Sequence, residues 1–298
     1  MRRWSDAIGR GLCLAALVAV GLVTGCASSA HDVPFTLGTP HRDLTYCGSQ
    51  RLDLYIPRDT GQTLPVALYV HGGGMTAGDK SNLSPAFLGA LTAGGYAVAS
   101  IDYRLAPQSR FPAQIEDVKC AIRYLRARAP EYGLDRNAIF AFGTSVGGQL
   151  VALAALTGSP SPWDVGDYLG EPSNLAAVAD IFGPANLTES ASGFSASGIR
   201  DAFGRNDQQD LISASPTHYV APGSPPVLLI QGVEDTKVLE SQSIELYTDL
   251  KAAGDRTQLL LVQHMSHMFA QVGRAPIDPS LGQIAKDIVS FFDEVRGS

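Results

Sequence analysis

Residues 141–150 read AFGTSVGGQL, one serine set between two glycines where an apolar run gives way to a helical pattern. The order Gly143-Thr144-Ser145-Val146-Gly147 is G-x-S-x-G. A chain that turns sharply from a strand into a helix strains its apex residue. Side chains on either flank would crowd that apex, so glycine suits both positions. Alone the pentapeptide decides little, because a serine ahead of a helix is also an ordinary cap. Its meaning depends on what surrounds it.

Outward from it, β-rich runs alternate with segments of helical spacing. RLDLYIP (51–57), PVALYVH (65–71), AVASIDY (97–103), AIFAFGT (138–144), VADIFG (178–183), PVLLIQG (226–232) and QLLLVQH (258–264) read as strands. PAQIEDVKCAIRYLRARA (112–129) places Ile115, Val118, Ile122 and Leu125 on one helical face, with Pro112 at its start. Such alternation predicts an α/β fold: a mostly parallel central sheet flanked by helices on both faces. LTYCG (44–48) lies close enough to RLDLYIP to form a hairpin, which would make the sheet mixed. No linker or repeat divides the chain after residue 40, so one domain is expected over 44–298. The Ser-, Gly- and Asp-rich stretch 185–216 is the expected mobile insertion over a site.

A nucleophilic serine needs a base, an acid to orient it and donors for the oxyanion, and an open α/β sheet puts such groups after its strands. HGGGM (71–75) follows one strand, and its glycines let backbone N–H groups approach a substrate oxygen closely. In LLIQGVEDTKV (228–238) both Glu234 and Asp235 follow a strand, and Asp235 is the better candidate acid. In LLLVQHMSHMF (259–269) His264 is expected to belong still to the strand, leaving His267 in the loop, free to reach Ser145. Serine, aspartate and histidine thus occur in the order Ser145, Asp235, His267. GGGMTAGDKS (72–81) is not a P-loop, since Asp79 stands where the lysine should follow glycine directly. No metal-binding spacing of His or Cys is present, and the chemistry calls for no cofactor.

The first thirty residues carry Arg2, Arg3 and Arg10 ahead of a short, Gly-rich apolar run, the pattern of a signal peptide over 1–25. Val23-Thr24-Gly25-Cys26 resembles a bacterial lipobox, which implies lipidation at Cys26, a linker over 26–43 and a protein anchored in the cell envelope. A plain secretory signal, giving a secreted or periplasmic protein, is the alternative. Removing 1–25 takes three arginines and Asp6 from a chain of net charge −7, so the mature charge is −7 − 2 = −9. That balance argues against nucleic acid and against electrostatic docking on membranes, leaving acyl chains as the membrane attachment. Cys47 and Cys120 then remain, and free buried thiols are expected, although an oxidising compartment would permit a bond.

Jointly, HGGGMTAGDKSN, SIDYRLAPQSRFPAQIEDVKCAIRYL, YGLDRNAIFAFGTSVGGQLVALAA, SPPVLLIQGVEDTKV and HMSHMF resemble the α/β-hydrolase superfamily, nearest to feruloyl-esterase-like and hormone-sensitive-lipase-like carboxylesterases. The resemblance runs from about residue 44 to the C-terminus and implies a serine hydrolase of small-molecule carboxylic esters. It makes Ser145 the nucleophile, Asp235 the acid and His267 the base. It gives the oxyanion hole to the N–H groups of Gly73, Gly74 and Val146, with His71 holding their loop and Asp102-Tyr103-Arg104 supporting the site. Val146 stands where the family usually has alanine, which narrows the acyl pocket and, with little chain to form an N-terminal cap, favours short acyl or aryl esters. An arylformamidase or peptidase would use the same triad, and a catalytically silent binding module is the remaining alternative.

Overall fold

The computed structural model describes residues 37–297 apart from 59, 60, 190, 191, 194, 205 and 206. The leader and Cys26 lie outside the described residues. Eight strands are described: β1 (His41–Thr45), β2 (Arg51–Tyr55), β3 (Leu64–Val70), β4 (Ala97–Ile101), β5 (Leu134–Thr144), β6 (Val178–Ile181), β7 (Val227–Gly232) and β8 (Thr257–Val262). They form one sheet in the order β1-β2-β4-β3-β5-β6-β7-β8. β1 and β2 make the expected hairpin, β2 joins β4 antiparallel, and every pair from β4 to β8 is parallel. β1 begins at His41, so residues 41–43 belong to the sheet rather than to the expected linker. Asp43 there receives an ion pair from Lys80 at 2.9 Å.

The described helices are α1 (Pro85–Ala93), α2 (Ala113–Ala127), α3 (Ala129–Tyr132), α4 (Val146–Leu156), α5 (Ala196–Phe203), α6 (Gln208–Ser213), α7 (Glu240–Ala253) and α8 (Leu281–Arg296). Successive side chains of a strand point to opposite faces, and β3 shows the consequence. Leu64, Val66, Leu68 and Val70 enter a core shared with α2, α4 and α7, whereas Ala67 and Tyr69 enter a second core shared with α1 and α8. Burying a leucine or valine so completely contributes about 1.5–3 kcal/mol. Apolar residues on both faces of its strands therefore require helices on both sides, as the unbroken apolar runs predict.

Ile115, Val118, Ile122 and Leu125 of α2 are all buried. The same helix also buries Lys119, Arg123 and Arg126, which periodicity did not foretell. These cations hold the connection from α4 to β6. Lys119 Nζ donates to the Gly158 carbonyl at 2.7 Å and to Ser173 Oγ at 3.2 Å. Arg123 pairs with Asp164 at 2.7 Å, and Arg126 donates to the carbonyls of Arg136, Pro172 and Asn174. Burial pushes the Lys119 ammonium down to about 8.

Cys47 and Cys120 are not free thiols. They form a disulfide, with Cα atoms 6.3 Å apart. The turn closing the β1–β2 hairpin lies against α2, a proximity between residues 73 apart that only the folded chain creates. The insertion is also more regular than its composition suggested. It contains α5, whose N-cap Ser195 accepts from Gly198 N, and α6, whose N-cap Asp207 accepts from Gln209 N. Its two ends are tied down, with Ala185 N donating to Gln242 Oε1 at 2.9 Å and Gln149 Nε2 to the Ala214 carbonyl at 2.8 Å.

Candidate active site

Parallel strands bring their C-terminal ends to one edge of the sheet, and each candidate residue follows such an end. Ser145 comes directly after β5 and caps α4, at φ 55° and ψ −125°. This left-handed, strained apex is held by Ser145 N donating to the Ile181 carbonyl at 2.9 Å. The flanking glycines are required by contact. A Cβ at Gly143 would overlap the backbone of Gly147, and one at Gly147 would overlap the Val70 carbonyl of β3.

His267 follows β8, and its Nε2 lies 3.0 Å from Ser145 Oγ. Its Nδ1 lies 2.8 Å from Asp235 Oδ2. A carboxylate accepts and does not donate, so Nδ1 carries the hydrogen and Nε2 faces the serine hydroxyl with its lone pair. Asp235 is buried, and its Oδ1 accepts from Lys237 N at 2.8 Å and Val238 N at 3.1 Å. The Phe182 ring, which sequence reading did not single out, packs on the imidazole with centroids 5.0 Å apart. The signal for it was present, since the turn-forming pair Gly183-Pro184 follows it at the end of β6.

The rival candidates form a pair of their own. His264 Nδ1 lies 3.7 Å from Glu234 Oε1, and Glu234 Oε2 accepts from Met265 N at 3.2 Å. The expectation that His264 belongs to the last strand does not hold. β8 ends at Val262, and His264 takes φ 59°, the start of the turn that carries the chain back to His267.

Gly73 and Gly74 line one cleft of about 360 Å³ together with Ser145, Val146 and His267. Gly73 adopts φ +117°, and a Cβ there would overlap the Ala77 carbonyl. No described residue accepts from the N–H groups of Gly73, Gly74 or Val146, the last of which heads α4 where helix N–H groups have no helical acceptor. His71 is buried behind this loop, its Nδ1–H donating to the Gly72 carbonyl at 2.6 Å. Burial holds its pKa below the usual histidine value, so the ring stays neutral. Tyr103 stacks on that ring with centroids 4.1 Å apart and donates from its hydroxyl to the His71 carbonyl at 3.0 Å. Arg104 is fixed in turn by Asp117, with its Nε 2.9 Å from the carboxylate. Ser192, Gly193, Pro184, Lys237, Val238 and Met268 complete the cleft. An imidazole so placed can accept a proton from a hydroxyl attacking a carbonyl, with unspent N–H groups nearby to receive the oxyanion.

Residues 52–250 match the BD-FAE family. Esterase LipC of Mycobacterium tuberculosis is 30% identical over 94% of this chain and 75% of its own length. Among solved structures, a truncated carbohydrate esterase from gut microbiota superposes with a TM-score of 0.77 at 27% identity, covering 89% of this chain and 99% of its own. A bifunctional GH43-CE protein of Bacteroides eggerthii gives 0.74 at 28% identity, over 86% of this chain and 38% of its own. Fold, site geometry and these likenesses converge, and the chain belongs to the BD-FAE family as an α/β-hydrolase enzyme of the carboxylesterase type.

Proposed function

We propose that the enzyme cleaves short-chain acyl or aryl esters through an acyl-enzyme on Ser145. His267 takes the serine proton as Oγ attacks the carbonyl carbon, then returns it to the departing alcohol. Water, deprotonated by the same imidazole, releases the acid. Asp235 keeps the imidazole in its working tautomer, and the N–H groups of Gly73, Gly74 and Val146 stabilise the oxyanion. The observation that carries this reading is the continuous hydrogen-bonded chain from Ser145 through His267 to Asp235, the first two of which line one cleft. The small volume and the walls of Val146, Pro184 and Val238 support a short acyl group. The names of the two similar structures support acylated sugars as one group of substrates to assay.

The same reading places the mature protein in the cell envelope, held by lipid on Cys26. Support comes from the lipobox-like tetrapeptide and from the Cys47–Cys120 bond, since such bonds persist in oxidising compartments. Labelling with a fluorophosphonate tests the chemistry. Wild type should react at Ser145 and Ser145→Ala should neither react nor hydrolyse esters while remaining folded; a folded wild type that fails to label overturns the proposal.

A further inference from the structure

One wall of the cleft carries a charge that the proposed hydrolysis does not use. Apart from His267, Lys237 is the only ionisable side chain among the described lining residues, and it is exposed. No carboxylate of a described residue lies within ion-pair distance of its ammonium. The nearest acid along the chain is already committed, Asp235 giving one oxygen to His267 and the other to the N–H groups of Lys237 and Val238. The backbone of Lys237 is therefore fixed, and only its side chain can adjust. On its other side it meets the insertion, where a Cβ at Gly193 would come 2.6 Å from the Lys237 carbonyl. The remaining lining is apolar or uncharged. In a chain of net charge −7, a lysine lining the site with no carboxylate partner among the described residues is a local reversal of the overall field.

We propose that Lys237 is a specificity residue and that the preferred substrates are esters bearing an anionic group. The inference rests on the triad reading above and extends it to the substrate. The shared chemistry is a carboxylate or similar oxyanion within reach of the ammonium, carried on either the acyl or the alcohol part of the ester. A neutral ester leaves the cation solvated and gains nothing from it, whereas an anionic one gains an ion pair retained in the transition state, which raises kcat/KM.

Two matched pairs test this: ethyl butyrate against monoethyl succinate, and 4-acetoxybenzamide against 4-acetoxybenzoate. Each anionic-to-neutral ratio of kcat/KM is divided by the same ratio for hydroxide hydrolysis. At low ionic strength the wild-type ratio should reach about fivefold for at least one pair, the pair identifying which side carries the anion, and should shrink in ~0.5 M salt. Lys237→Arg should keep the preference, Lys237→Met should abolish it, and Lys237→Glu should invert it. A wild-type ratio near one for both pairs, or a ratio unchanged by Lys237→Met, overturns the proposal. Failure of the triad reading is separately visible, because fluorophosphonate labelling of Ser145 does not involve the ester's charge.

Discussion

Reducing the Cys47–Cys120 disulfide should cost stability by a predictable amount. The bond closes a loop between residues 73 apart. By the chain-entropy relation, such a cross-link restricts the unfolded chain by about 4 kcal/mol at 25 °C. For a domain of this size that corresponds to a fall in melting temperature of roughly 10–15 °C, at ~2–4 °C per kcal/mol. The assay is urea and thermal unfolding of the same protein with and without a thiol reductant. Reduction removes no side chain, so the comparison reads mainly the cross-link. The slope of the urea transition should also steepen on reduction, because the unfolded chain expands once the loop is opened. Esterase activity at 25 °C should stay close to that of the oxidised form, since neither cysteine lines the cleft that holds Ser145. A reduced protein melting within ~2 °C of the oxidised one would refute the entropic reasoning.

Asp235→Asn and His267→Ala should lower kcat by orders of magnitude, whereas Glu234→Gln and His264→Ala should change it less than about tenfold. Comparable losses at His264 and His267 would show that the surface pair takes part in the chemistry. Asp180 is buried on β6 with Oδ1 accepting from Gly183 N at 2.8 Å, and burial raises its carboxyl to about 7. Because the folded protein holds this proton more tightly than the unfolded chain, the associated stability is present below about pH 4 and is lost as pH rises through 7. Denaturation midpoints over pH 4–8 should therefore show a downward contribution of a few kcal/mol that Asp180→Asn removes, and an unchanged slope in the variant would contradict it. Cys26→Ser should move the protein from membranes to the soluble fraction, and continued pelleting with membranes would exclude a lipid anchor at that residue.

The seven strands drawn from apolar runs all appear, because a strand covered on both faces has one sequence signature regardless of its neighbours. Ser145, Asp235 and His267 were legible for a related reason: each stands a few residues past such a run, and parallel strands deliver those positions to one edge. What stayed hidden depended on contacts made across the fold. Periodicity assigns Lys119, Arg123 and Arg126 to solvent, but most of the carbonyls that bind them, those of Gly158, Val165, Asp167, Pro172 and Asn174 among them, lie far along the chain. The disulfide has the same character. α5 and α6 were missed because they are short, eight and six residues, and lie in a Ser- and Gly-rich stretch with their starts marked only by Ser195 and Asp207. His264 was misplaced because its left-handed backbone leaves no mark in the residues around it.

The carboxylate of Asp235 is held by the same two amides that begin the cleft wall at Lys237 and Val238. Reaction rate and substrate choice are therefore mechanically joined on that side. Swapping or lengthening the 235–238 loop to change selectivity would shift the acid and with it the imidazole, so only side-chain replacements are open there. The adjoining wall at Ser192 and Gly193 belongs to the insertion, which supplies no member of the Ser145–His267–Asp235 chain. Gly193 nevertheless packs on the Lys237 carbonyl, so a directed-evolution library on the insertion keeps that glycine and varies the chain around it if the proton transfer is to stay tuned.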